Sequence, residues 1–187
     1  MFDDHKIKRM LDHRMHSVAA LNWALDFRSQ WKEVPSIEVY IDGKLRIDGN
    51  LNAITNPTLE VGLVHCRALL EFLGLRDDNG TLSQIKKRHR GDVGIEHFKN
   101  ANGPLKKVDP KAALNRYKGE RSEAEEALLQ ILHVTNKGLA HNTQDLIESP
   151  EQSRLIEIAC HGIPALMISY FYTPLGLYPP ASQITVR

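Results

Sequence analysis

The segment that most restricts the fold is residues 57 to 73, PTLEVGLVHCRALLEFL. Leu59, Val61, Leu63, Val64, Cys66, Leu69, Leu70, Phe72 and Leu73 leave almost no polar side to a helix drawn through it. A helix that is apolar nearly all round must be covered on every side, which places it at the centre of a bundle. Asn56 followed by Pro57 supplies its start, since asparagine caps a first turn and proline at the first helical position gives up only an N–H that has no helical acceptor.

The remainder of the chain provides helices to do the covering. Ile7, Met10, Leu11, Met15, Val18, Leu21 and Leu25 recur at three and four residues and predict a long amphipathic helix from Asp4 to Gln30, capped by Asp3 or Asp4. Trp23, Phe27 and Trp31 add bulk near its end. Asp109-Pro110 repeats the cap-and-proline start for a short helix ending near Gly119. Ser122 and Glu125 read as a capping box ahead of a stripe of Leu128, Ile131, Leu132 and Leu139. Ser149, Pro150 and Gln152 open a further helix through Leu155, Ile156, Ile158 and Ala159, which Pro164 is expected to kink before TPLGLYPP ends regular structure. Residues 74 to 108 divide into a loop (GLRDDNG), a short helix (LSQIKKRHR) and a second loop (KNANGPLKK).

Only SIEVYIDGKLRIDG changes period, with Ile37, Val39 and Ile41 alternating before Asp42-Gly43, and Leu45 and Ile47 after it. A two-residue Asp-Gly turn would set Ile41 against Lys44. A three-residue loop, Asp42 to Lys44, pairs Ile41 with Leu45 and Val39 with Ile47 on one apolar face, and this register is expected because a one-residue slip exposes the whole set. The hairpin should pack on the helices, since an isolated pair of strands is marginal. The expected fold is all-α, a four- or five-helix bundle with a small inserted β-hairpin near residues 36–48, in one domain spanning 1–187.

Composition narrows the function classes. The formal charge of +1 gives no overall field to recruit nucleic acid or an acidic membrane, so such binding needs a local patch. Cys66 and Cys160, far apart in apolar segments, read as buried free thiols. No signal core and no apolar run approaching about 18 residues are seen, so a soluble cytoplasmic protein with no membrane partner is expected. His133 and His141 are eight positions apart with Lys137 between them on the same side, and a cation there repels a metal ion. With no His-Glu-x-x-His, close cysteine pair, nucleophile elbow or glycine-rich phosphate loop, neither a metal nor a cofactor is expected.

Three places carry polar chemistry. In HVTNKGLAHNT, residues 133 to 143, a helical wheel puts Leu128, Leu132, Thr135 and Leu139 on the core side and Asn136 at its edge. His141 points about 140° away from Asn136. Two readings stand: a polar helix end whose His141 and Lys137 complement the dipole, or the rim of a cleft. The second needs Gly138, which weakens a helix by about 1 kcal/mol relative to alanine, to let the last turn unwind and bring His141 towards Asn136. Arg67 sits in the most apolar helix, either paired with an acid or exposed at the bundle edge, or supplying charge to a site; His65 beside it reads as a packed histidine. KKRHRGD is the strongest basic run, and Lys86, Lys87, Arg88 and Arg90 are either a solvated face or phosphate contacts. No aromatic residue interleaves them to stack bases.

TNKGLAH resembles the motif of the HEPN superfamily of helical-bundle proteins, an arginine, a polar residue, four variable residues and a histidine near the end of a late helix. Asn136 matches the polar position and His141 the histidine, while Thr135 stands where the arginine would be. Helix order and the segment VHCRALLEFLG extend the resemblance loosely over residues 55 to 172. It implies a homodimer that binds RNA or cleaves it without a metal, using His141 and Asn136; the reading of Arg67 as a source of charge for a site would then replace the missing arginine. The alternative it leaves open is a catalytically silent scaffold that binds a protein partner. Arg90 and His97 give a second, looser match to the spacing, although Gly91 and Gly94 make that segment a poor helix. Val134, Gly138 and Ala127, small or apolar on the side away from the core stripe, offer a dimer face.

Overall fold

The computed structural model describes residues 4–138 and 149–184. Helix α1 (Asp4–Ser29) buries Leu11, Met15, Val18, Leu21 and Ala24 along one stripe. It packs on α2 (Asn52–Leu73) at very short range, because a Cβ on Gly62 would lie 2.4 Å from the Cβ of Leu21. Glycine at 62 is what lets the two backbones approach.

Helix α2 starts at Asn52, so Pro57 lies inside it and the expected start at Asn56-Pro57 is corrected. The cause is Leu51, which is buried and donates its N–H to the Pro35 carbonyl at 2.9 Å, rooting the helix directly at the foot of the hairpin. Thr55 and Thr58 hydroxyls bond back to the Leu51 and Ile54 carbonyls, at 3.2 and 2.7 Å, through the turns around the proline. Coverage of α2 is also less complete than its composition suggested, since Val61 and Val64 are 53% and 47% exposed.

Strands β1 (Ser36–Ile41) and β2 (Lys44–Asn50) form the expected hairpin, with a different register. Asp42 and Gly43 both have positive φ, 52° and 71°, and make a two-residue turn that pairs Ile41 with Lys44 and Tyr40 with Leu45. A bulge then takes up one residue and restores the Val39–Ile47 pair. The apolar pattern lost to the turn because neither face of the tip is buried: Tyr40, Ile41, Leu45 and Ile47 are all exposed.

Two further ladders occupy the region after α2, so the fold is mostly helical rather than all-α. Strands β3 (Leu75–Asp77) and β4 (Leu82–Gln84) flank an Asn79-Gly80 turn, and the helix expected over residues 82–90 is instead this strand and irregular chain. Strands β5 (Lys99–Asn100) and β6 (Gly103–Pro104) follow a single 3₁₀ turn, Ile95–His97. Leu75, Leu82, Ile95 and Phe98 carry the region into the core. Phe98 meets Phe72 and Phe171 edge to face, with ring centroids 5.8 and 5.0 Å away.

Helix α3 (Pro110–Leu114) has the Asp109 cap but ends well before Gly119. In α4 (Arg121–His133) the cap position is Glu120, and the Ser122–Glu125 box does not form. The Glu125 carboxylate instead accepts the N–H of Leu82 at 2.9 Å, stitching β4 to α4. Helix α5 (Pro150–Met167) starts as expected, with Ser149 and Gln152 bonded reciprocally. Pro164 deprives the Cys160 carbonyl of its helical donor, and the Asn22 amide of α1 takes that carbonyl at 3.0 Å. Cys66 and Cys160, distant in sequence, are both buried with their sulfurs 3.9 Å apart between α2 and α5. Their mutual hydrogen bond, together with burial, pushes the Cys66 thiol well up. Pro150–Leu175 is long and apolar enough, by length and composition, to cross a membrane, which amends the expectation drawn from run length; half of that apolar window is buried inside the fold.

Candidate functional site

Helix α2 presents Arg67 and, one turn later, Glu71 at a partly exposed edge, with side chains 30% and 43% exposed. The Arg67 Nε–H donates to Glu71 Oε1 at 2.8 Å, which fixes the guanidinium plane. Arg67 Nη1 donates to Asn136 Oδ1 at 2.6 Å, a contact between residues 69 apart in the chain. Nη2 has no hydrogen-bond acceptor among the described residues.

Asn136 reaches α2 because α4 does not end as an ordinary helix. Val134–Gly138 forms a π turn, whose bonds span one residue more than those of an α-helix and so shift Asn136 from its place on an ideal α-helix. The Thr135 hydroxyl promotes this by donating to the Ile131 and Leu132 carbonyls, at 2.6 and 3.3 Å. Thr135 is 6% exposed, so the position where the HEPN pattern has arginine turns its side chain into the core. Ala127 is fully buried and Val134 packs against the core, so intramolecular contacts take up these two positions of the expected dimer face. His141 lies outside the described residues.

Helix α1 adds what the sequence did not single out. Arg14 Nη1 lies 3.2 Å from His65 Nδ1, and the His13 ring stands edge-on to His65 with centroids 5.5 Å apart. Burial pulls the Arg14 pKa down against the opposing pull of Glu71, but a guanidinium remains charged at neutral pH. The His65 imidazole is held below its ordinary range, first by burial and then by Arg14 and His13, so it is neutral near pH 7. With Arg14 donating to Nδ1, the neutral ring carries its proton on Nε2. The cluster therefore sets two guanidinium groups against one carboxylate. Of this cluster, Arg67, His65 and Asn136 are legible in the sequence, while Arg14, His13 and Glu71 are not.

The basic run divides by role. Arg88 is nearly enclosed, 10% exposed, and grips both oxygens of Glu96 at 2.8 and 3.0 Å. It also donates to the Glu71 and Phe72 carbonyls at 2.8 and 3.1 Å, closing the C-terminus of α2. Gly94 leaves room for it, since a Cβ there would lie 1.9 Å from Arg88 Nη2. Lys86, Lys87 and Arg90 are exposed on the same loop. That loop is thus rooted at Glu71, whose carboxylate holds Arg67. His97 sits in the 3₁₀ turn with Nδ1 2.9 Å from the Gly94 N–H, and Arg90 lies in a separate turn, so this second motif spacing does not fall on one helix.

Among the described residues no group of three His, Cys, Asp or Glu side chains converges as metal ligands would. Compared with models of protein families, with curated proteins and with solved structures, the chain matches none.

Proposed function

We propose that this chain binds single-stranded RNA through its backbone phosphates at the edge where α1, α2 and the end of α4 meet, and cleaves it without a metal ion. The observation that carries the reading is the Arg67–Asn136 contact, which joins a guanidinium on α2 to the asparagine of the HEPN-like motif. A guanidinium fixed on two sides keeps a third nitrogen to donate to phosphate, and charge-assisted bonds of this kind are among the stronger ones available. Arg14 adds a second cation, while Lys86, Lys87 and Arg90 extend the basic surface on a loop rooted at Glu71.

In the cleavage step the imidazole of His141 takes the 2′-hydroxyl proton as that oxygen attacks the adjacent phosphorus. The 5′-oxygen leaves and takes a proton from solvent, the imidazolium returns its proton to solvent, and a 2′,3′-cyclic phosphate remains. Arg67 neutralises the charge that builds on the phosphate oxygens. The test separates the two roles. Arg67→Met weakens RNA binding, whereas His141→Ala leaves binding in place and abolishes cleavage in the presence of a chelator. Cleavage that survives His141→Ala refutes the catalytic assignment.

A second reading, a non-catalytic scaffold for a protein partner, is favoured by Thr135 facing the core and by Glu71 neutralising Arg67. Under it, neither RNA binding nor cleavage is observed.

A further inference from the structure

A groove of about 580 Å³ opens between α3, α4 and α5, away from the site above. Its lining is mainly apolar, with Leu128, Ile158 and Ala165 beside the bare backbone of Gly162. Its size falls within the range of small-molecule sites. Gly162 leaves the lining open on the α5 side. Glycine inside a helix weakens it relative to alanine, and at Gly62 the approach of Leu21 requires it. At Gly162 a Cβ would meet nothing within 4 Å among the described residues. The glycine leaves the floor open for something else to lie against.

The mouth has a charge polarity. Arg154 is spent on Glu123 and Glu151. Arg116 lies over the Tyr170 ring, 5.7 Å from its centroid, and neither it nor Lys118 has a carboxylate within ion-pair distance among the described residues. Glu157 stands on the α5 side of the rim, with His161 a turn further on bonded to the Glu157 carbonyl and facing Asp26. The end beyond α3 thus carries two cations without a carboxylate partner among the described residues, beside the Arg154–Glu123 pair, while the α5 rim carries Glu157.

We infer that this groove binds a single hydrocarbon chain ending in an anionic group, the chain lying over Gly162 and the head between Arg116 and Lys118. Decanoate below its micelle concentration, titrated calorimetrically, is the probe. Saturable binding is expected, weaker by about tenfold or more for decyltrimethylammonium, which has the same chain and the opposite charge. Gly162→Leu fills the floor and lowers decanoate affinity by about tenfold or more without lowering the melting temperature. Arg116→Glu with Lys118→Glu does the same from the rim. Absence of saturable decanoate binding overturns the inference, as does binding indifferent to either variant. Sedimentation with anionic phospholipid vesicles in place of soluble decanoate would also overturn it, in favour of a membrane surface.

Discussion

Removing the Asn22 side chain tests the way α5 passes through a proline. Asn22 Nδ2 is the donor found for the Cys160 carbonyl, which Pro164 has deprived of its helical N–H, and Cys160 is fully buried. A buried acceptor left unpaired costs about 1–3 kcal/mol. Asn22 Oδ1 is itself buried without a donor, so its deletion returns part of that cost and the expected loss for Asn22→Ala is about 1–2 kcal/mol. In a Pro164→Ala background residue 164 regains an N–H directed at the Cys160 carbonyl, and Asn22→Ala should then cost almost nothing. Urea unfolding of the four proteins in the cycle gives the coupling directly, provided the slopes agree. We predict a coupling of about 1 kcal/mol, outside the roughly 0.3–0.5 kcal/mol within which independent sites add. If Asn22→Ala costs the same with and without the proline, the compensation argued here does not exist.

Two further outcomes follow from the packing. Gly62→Ala destabilises by about 1–3 kcal/mol through overpacking against Leu21, whereas Gly162→Ala stabilises by about 0.5–1 kcal/mol; paired urea melts check the opposite signs. Burial pushes the Glu96 carboxyl up, but the hydrogen bonds and charge of Arg88 and the charge of Lys107 prevail and hold it below its ordinary range. The stabilisation is therefore present above the carboxylate's unfolded pKa and lost as pH falls through the lowered one. Melting temperature against pH should show this acid limb in the native chain, and Glu96→Gln should flatten it.

Local chemistry was legible where it had no competitor. The Ser149–Gln152 box, the Asp109 cap and the α1 stripe each rest on groups within a few residues, and all three form. Long-range ties displaced the others. Leu51 bonds to Pro35 and moves the start of α2, while Leu82 claims the Glu125 carboxylate and dissolves the capping box. At the hairpin tip the apolar pattern had no buried face to enforce it, and the Asp-Gly turn prevailed. Asn79-Gly80 carried the same turn signal but sat in a stretch read as loop. For the candidate site, Arg67 and Asn136 were named from sequence, yet their contact depends on a π turn that an ideal wheel cannot represent. Arg14 was invisible because its role comes from α1 lying beside His65 rather than from any motif. Arg88 read as one of four equivalent cations, and only the closure of α2 over Glu96 distinguishes it.

Contact between Arg67 and RNA phosphate is read most directly from the salt dependence of binding. Affinity for a mixed-sequence single-stranded RNA would be measured over a range of salt concentrations for the native chain and for Arg67→Met, both confirmed folded by thermal melting. Each phosphate contact contributes a slope of about −0.7 in log affinity against log salt for single strands. The native chain is predicted to bind, and Arg67→Met to lose about tenfold in affinity at low salt with its slope reduced by about 0.7. No binding by the native chain, or equal slopes for the two proteins, would contradict the account.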